Sequence, residues 1–228
     1  MQTIALQNLL YMLLPLIIVG YVYYRWTDNK QEILLATIRM SMQLIAVGYV
    51  LTSLFSNNSP WLLAFLVCMM IGVSSLIVRR NIANKSLKTY VTILMAIFVG
   101  GTANLLLVLF CVLDLETLLA PRFVIPLAGM IYANAMNAIS LCAERFEKES
   151  LHHDYTKARA IAFKASMIPQ INQFLAVGFV SLPGMMTGQI LSGVDPLIAV
   201  RYQIVVMAMI LSSGAMSNMI YLTSLKKG

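Results

Sequence analysis

Charge is what this chain has least of. Only 11% of its 228 residues are Asp, Glu, Lys or Arg, and 60% are hydrophobic; soluble domains carry about 25% charged residues. So thin a polar complement cannot cover a water-facing surface, and a mean hydropathy of +0.81 makes lipid the expected solvent. Reactive side chains are equally scarce, with two His and three Cys. Cys68, Cys111 and Cys142 each sit inside an apolar run without CxxC or Cys/His spacing, so neither a disulfide framework nor a structural zinc site is expected. They read as small apolar core residues. The chain has no P-loop, HExxH, nucleophile elbow or paired carboxylates, no convincing internal repeat, and no expected enzymatic activity of its own.

The net charge of +7 does not point to nucleic acid, because Lys and Arg fall in short segments between apolar runs and form no basic stripe. A helix needs about 20 mostly apolar residues to cross the hydrocarbon core. Seven such runs lie near residues 6–24, 33–55, 61–78, 90–113, 123–142, 165–182 and 199–222. Residues 1–20 lack a basic n-region and a small-residue cleavage site, so they are expected to stay as part of a first helix. The expected fold is therefore all-α: a polytopic membrane protein of seven transmembrane helices forming one permease domain over residues 1–228.

Basic residues give an independent check, since cytoplasmic loops accumulate them. With the N-terminus outside, Arg25, Lys30, Arg39, Arg79, Arg80, Lys85, Lys88, Arg145, Lys148, Lys157, Arg159, Lys164, Lys226 and Lys227 all fall inside. Only Arg122 and Arg201 fall outside, so an N-out, C-in topology with an odd number of spans is expected. The one substantial loop, residues 144–164, is cytoplasmic in this scheme. Its acidic start (Glu144, Glu147, Glu149) and basic end (Lys157, Arg159, Lys164) suit helical continuations of the flanking spans. His152 and His153 in its middle read as solvated, a metal site being the weaker alternative.

Polar groups in lipid are costly and tend to face a bundle interior or a pathway. In the fifth run Gly129, Ala133 and Asn137 recur every four residues and share a face where another helix is expected to approach closely. Asn134 and Asn137, three apart, are expected on one side, with Met130 beside Asn134. Interhelical glue and a substrate path are both open readings for these asparagines. The sixth run is broken. Pro169 is expected to disturb the helix, followed by Gln170, Asn172 and Gln173, and Pro183-Gly184 is expected to end it. With Gly188 and Gly193 beyond, the stretch after it suits a short re-entrant or interfacial helix. Of the 16 methionines, Met130, Met136, Met185, Met186, Met207, Met209, Met216 and Met219 fall from the fifth run onward. Packing is their expected use and soft-metal ligation the alternative, with no metal ligands assigned.

From the fifth run on, the residues resemble a known family. The strings Val124-Ile-Pro-Leu-Ala-Gly-Met-Ile, Asn134-Ala-Met, Val180-Ser-Leu-Pro-Gly-Met-Met-Thr-Gly-Gln-Ile, Asp195-Pro and Arg201-Tyr-Gln-Ile-Val-Val carry the likeness. Upstream, Arg39 and Gln43-Leu-Ile-Ala-Val-Gly-Tyr-Val-Leu extend it over nearly the whole chain. They resemble the FetB/YbbM-like ABC-transporter permeases, whose plant relatives are linked to aluminium tolerance. The resemblance implies a seven-span permease subunit of the plasma (inner) membrane, with membrane lipid around it and working as a homodimer. It also implies iron export or metal homeostasis, ATP bound and hydrolysed on a separate ABC ATPase chain, and no cofactor held by this one. Plant members are linked to nucleotide-sugar export, so the substrate stays open. The segment 144–164 is shorter than in the family and lacks its Leu-Gly-Ala turn. Either coupling runs through a reduced contact at Tyr155, Lys157, Arg159 and Lys164, or the chain is a permease-derived protein that no longer transports. The expected path residues are Met130, Asn134, Asn137, Gln170, Asn172, Gln173, Met185 and Met186.

Overall fold

A computed structural model describes residues 6–27, 31–57, 59–113 and 120–225. Lys30, Lys226 and Lys227, assigned above to the inner side, lie outside the described residues. The described chain is helical: α1 (Leu6–Leu9), a 3-10 turn (Leu10–Met12), α2 (Leu13–Trp26), α3 (Glu32–Asn57), α4 (Pro60–Arg80) and α5 (Leu87–Leu107) come first. A π segment (Val108–Val112) extends α5, and α6 (Pro121–Glu149), α7 (Tyr155–Ala176), α8 (Gly184–Leu191) and α9 (Pro196–Leu225) follow. Among the described residues six helices are long and apolar enough to cross a membrane, over residues 7–26, 32–52, 60–80, 87–112, 121–149 and 196–225. The chain is thus an all-α, polytopic membrane protein. α7, with 22 residues, is not among the six, because Lys157, Arg159 and Lys164 in its first half and Gln170, Asn172 and Gln173 in its second lower its hydropathy.

The chain forms two compact units, Met1–Asn57 and Asn58–Gly228. In the first, α2 has no buried residue, and the Tyr23 hydroxyl donates to Glu32 Oε2 at 2.5 Å between α2 and α3. The hydroxyls of Thr37, Ser41 and Thr52 donate to carbonyls one turn back, which satisfies them in an apolar setting without a partner helix.

The second unit is built around α6, which packs on α4, α5, α7 and α9. Its buried stripe runs Val124, Ala128, Ile131, Ala135, Ala138 and Cys142, the three-and-four spacing that keeps one helix face on a core. Local signals set the helix starts. Pro60 and Pro121 occupy first-turn positions, where the missing amide hydrogen costs nothing. Ser86 Oγ accepts from Thr89 N at 3.1 Å, Asp154 Oδ2 from Thr156 N at 3.3 Å, and Asp195 Oδ1 from Leu197 N at 2.8 Å.

The segment 144–164 continues the flanking helices, as its charge order suits, α6 running to Glu149 and α7 starting at Tyr155, with a short turn between. Several other expectations need correction. The expected span 165–182 is shifted, because α7 begins behind the Asp154 cap and stops at Ala176. α7 also continues through Pro169 rather than breaking there. The break comes at Gly178, whose φ of +91° suits a residue without Cβ, and Pro183 instead caps the start of α8. Gly184 and Gly188 lie inside that eight-residue helix, and Gly193, at φ +90°, turns the chain after it.

Among the described residues of this chain, no helix packs closely on the stripe Gly129–Ala133–Asn137. Ala133 and Asn137 are exposed, and a Cβ on Gly129 would meet nothing within 4 Å. Close approach happens at Gly100, where a Cβ would lie 2.8 Å from Ser217 N, and at Gly101, where it would lie 2.7 Å from the Tyr132 ring. Alanines on the adjoining α6 face already allow tight packing, so the glycine stripe is not needed for it. Of the cysteines only Cys142 is buried; Cys68 and Cys111 are exposed on an apolar surface.

Candidate functional site: a polar seam between α6, α7 and α9

α7 and α9 run antiparallel. Ser166 meets Asn218, Gln170 meets Gly214, and Phe174 shares a cavity with Met207 and Gln203. On α9 the positions 203, 207, 210, 214 and 218 recur at helical spacing and form one stripe. From Gln203 to Asn218 that stripe spans about 22 Å at 1.5 Å per residue, most of a hydrocarbon core about 30 Å thick.

The middle of the seam is an amide cluster. Asn134 Nδ2 of α6 donates to the Ile210 carbonyl at 2.6 Å. A Cβ on Gly214 would lie 2.3 Å from Gln170 Nε2 and 3.0 Å from Asn134 Nδ2, so the two amides occupy the notch that glycine leaves. Gln170 is 5% exposed and its Oε1 has no hydrogen-bond partner among the described residues. The same holds at both flanks: Gln203 Oε1 and Asn218 Oδ1 are buried without a partner, although Asn218 Nδ2 donates to Ser166 Oγ at 2.8 Å. Each unpaired buried acceptor costs about 1–3 kcal/mol.

Asn104 on α5 shows the contrasting, satisfied arrangement. Its Nδ2 donates to the Gly100 carbonyl at 2.8 Å and contacts Met216 Sδ at 3.2 Å, and its Oδ1 accepts from Ser212 Oγ at 2.5 Å. That amide is glue. The seam's amides are differently placed, with acceptors left over.

The two ends of the seam differ. At one end a cavity of about 340 Å³ lies between the end of α7, α8 and α9, and holds Met186, Gln203 and Met207. A neighbouring cavity of about 390 Å³ is lined by Arg122, Met185, Gln189 and Tyr202 among apolar residues. At the other end the α6–α7 hairpin is tied to its surroundings. Tyr155 donates to the Leu222 carbonyl at 2.8 Å, its ring meets Phe146 edge-on at 5.9 Å, and Arg159 lies 5.5 Å over it. Glu147 Oε2 accepts from Ala83 N at 3.1 Å, and Arg145 pairs with Glu149 at 2.8 Å. His153 Nε2 lies 3.6 Å from Glu149 and His152 is exposed; among the described residues no three His, Cys, Asp or Glu cluster to hold a metal ion.

Of the expected path residues, Asn134 and Gln170 come together at Gly214, with Met130 half-buried one turn before Asn134. Met185 and Met186 line separate cavities. Asn137, Asn172 and Gln173 are exposed, outside the seam. Lys157 and Lys164 are exposed on α7 and Arg159 is half-buried. Sequence reasoning missed Ser166, Gln203, Gly214 and Asn218. The available signal was the small and polar residues spaced along the last apolar run.

The Uncharacterised protein family (UPF0014) model matches residues 5–158 and 150–227. A UPF0014 membrane protein of Synechocystis is 34% identical over 203 residues, covering 82% of this chain and 78% of its own. The "probable iron export permease protein FetB" of Escherichia coli is 35% identical over 212 residues, covering 85% and 80%. Protein ALUMINUM SENSITIVE 3 of Arabidopsis thaliana is 29% identical over 205 residues, covering 82% and 73%. No solved structure matches the chain. With its two matched stretches spanning almost all of its length, the chain belongs to the UPF0014 family of membrane proteins.

Proposed function

We propose that the chain is the membrane-spanning permease of an ABC-type exporter and that the α6–α7–α9 seam is its solute path. The observation that carries this reading is the set of unpartnered buried oxygens on Gln170, Gln203 and Asn218. Amides serving only as glue would be paired as Asn104 is. Acceptors left bare in a lipid-embedded bundle suit a transient cation or hydrogen-bond donor, which supplies the missing partner as it passes.

ATP would be bound and hydrolysed on a separate ATPase chain gripping the 144–164 hairpin, with Tyr155, Lys157, Arg159 and Lys164 at the contact. Tyr155 links that hairpin to α9 through Leu222, a short mechanical route to the seam. Iron is the first cargo to test, after the name of the Escherichia coli relative. Two copies would form the working unit in the plasma membrane, with seven spans each, α7 included, and the N-terminus outside.

The test is efflux from cells, with iron as the loaded ion, comparing wild type with Asn134→Leu and Gln170→Leu at matched abundance. Loss of efflux in both is expected; unchanged efflux in both sinks the path. Affinity purification with an intact hairpin should bring down an ATPase. The brevity of the α6–α7 turn favours a rival, a permease-derived protein that no longer transports, and recovery of the chain without any ATPase would support it. Flux through liposomes holding this chain alone would instead make it an ATP-independent carrier.

A further inference from the structure

α7 ends short of the far face of the membrane. Its last charged residue is Lys164, and the helix closes at Ala176, 12 residues on. That is about 18 Å at 1.5 Å per residue, against a hydrocarbon core about 30 Å thick. The neighbourhood agrees, since Val177 and Gly178 share a groove with Ile204 and Met207, well inside the apolar span 196–225. The chain therefore leaves helical form within the bilayer. Val180 N and Ser181 N both donate to the Ala176 carbonyl, at 2.9 and 3.2 Å, and Gly178 N donates to the Ser181 carbonyl at 3.0 Å. The carbonyls of Phe174 and Leu175 accept nothing from the described backbone, and residues 178–182 are all exposed. Just before the break, Asn172 and Gln173 are exposed too, without side-chain partners among the described residues. Asn172 lies about 200° around the helix from Gln170 at 3.6 residues per turn, on the side away from the seam.

Lipid is the wrong neighbour for this side of α7. Irregular backbone at membrane depth occurs only under protein or against water, and polar side chains in hydrocarbon are costly. A dry apolar lid would leave the same oxygens bare, whereas water supplies donors to all of them. From Ala165 through α8 to Leu191 there is no charged side chain, so nothing local neutralises the negative end of the α7 dipole. We infer that the open side of α7, from Asn172 to the break at Gly178, lines a water-filled recess at membrane depth that takes hydrated cations. Water coordinated to the ion donates to the bare carbonyls and amide oxygens, at the kind of broken helix end that holds cations in membrane bundles. The choice of cation over anion agrees with the cargo proposed above. The presence of water requires neither transport nor an ATPase, so this inference and the permease reading fail separately.

Single cysteines test it, in the full chain in liposomes with the exposed Cys68 and Cys111 replaced by Ala. Asn172→Cys and Ser181→Cys report on the recess, and Phe110→Cys is the reference. Phe110 is 53% exposed. Because Gly100 meets Ser217 and Asn104 meets Ser212, it stands level with Val206, the depth of the break. The probes are membrane-impermeant methanethiosulfonates bearing a trimethylammonium or a sulfonate group, present on both sides of the membrane. Each rate is divided by that reagent's rate with a free thiol. Both recess positions should react, the cationic reagent about fivefold faster in keeping with a helix-end charge, while Phe110→Cys reacts with neither. Thermal unfolding checks that each variant is folded. Silence at Asn172→Cys and Ser181→Cys in folded protein would mean a lid of lipid or protein, and would overturn the inference. Reaction at Phe110→Cys as fast as at Ser181→Cys would do the same, by showing that the break does not lie deeper than water ordinarily reaches. Equal corrected rates for the two reagents would overturn the preference for cations.

Discussion

The two ends of the α7–α9 seam are built oppositely. At the hairpin end Tyr155 is tied to Leu222 and Ser166 to both Phe163 and Asn218, with neither of the two cavities reaching them and with Asn218 Oδ1 as the bare acceptor beside them. At the far end the chain leaves space and bare acceptors, with two cavities and the unpartnered oxygens of Gln189 and Gln203. Packed interiors transmit displacement and hollow ones absorb ligands. α9 thus joins a tightly tied end to a looser, cavity-bearing one.

The comparison breaks most readily at the tight helix crossings. Gly100→Ala puts a Cβ 2.8 Å from the backbone nitrogen and 3.0 Å from the Cα of Ser217, and backbone cannot swing aside. Overpacking typically costs about 1–3 kcal/mol, and here the upper end, about 3 kcal/mol, is expected. Unfolding of purified protein by denaturant in micelles measures it; a midpoint unchanged from wild type would mean that α5 and α9 can separate freely.

Gly214→Ala should cost less, about 1–2 kcal/mol, because the atoms in its way are the mobile ends of Gln170 and Asn134. Shortening the obstacle should restore stability, so Gly214→Ala with Gln170→Ala is expected to be more stable than the sum of its parts. Strict additivity in the double-mutant cycle would show that Gln170 does not occupy the notch.

Smaller still is Tyr155→Phe, which deletes one hydrogen bond to the Leu222 carbonyl and keeps the ring against Phe146. A loss of about 1 kcal/mol is expected. If the hairpin end acts as the lever, the same variant should lower solute efflux while leaving ATPase association intact. Unaltered efflux at unaltered abundance would detach Tyr155 from coupling.

Much of this was legible in the residues, for identifiable reasons. Of the seven apolar runs, six coincide with membrane-length helices, because length and hydropathy are summed properties that tolerate single errors. Charge order along residues 144–164 marked the helical continuations of α6 and α7, since Asp154 caps a helix that basic residues then enter. The seam was harder. α9 averages out as an apolar span, so Gln203, Gly214 and Asn218 were hidden by their neighbours until their shared stripe met α7. Pro183-Gly184 looked like the end of a helix, yet the conformational demand fell at Gly178, a single glycine without flanking punctuation. Which of several small-residue faces α6 buries depends on where α5 and α9 stand, and that is tertiary information.

That last ambiguity yields the mildest prediction. Gly129→Ala adds a methyl group where nothing lies within 4 Å, and replaces a poor helix former with the best one, a gain of up to about 1 kcal/mol. In an isolated chain the unfolding midpoint should therefore stay level or rise slightly. A second copy packed on Gly129, Ala133 and Asn137 would reverse the sign, since close helix approach in lipid relies on small residues. The discriminating measurement is the midpoint at two protein-to-detergent ratios. A cost that appears only at the higher ratio means that this face is shared between copies, whereas indifference at both means that it faces lipid.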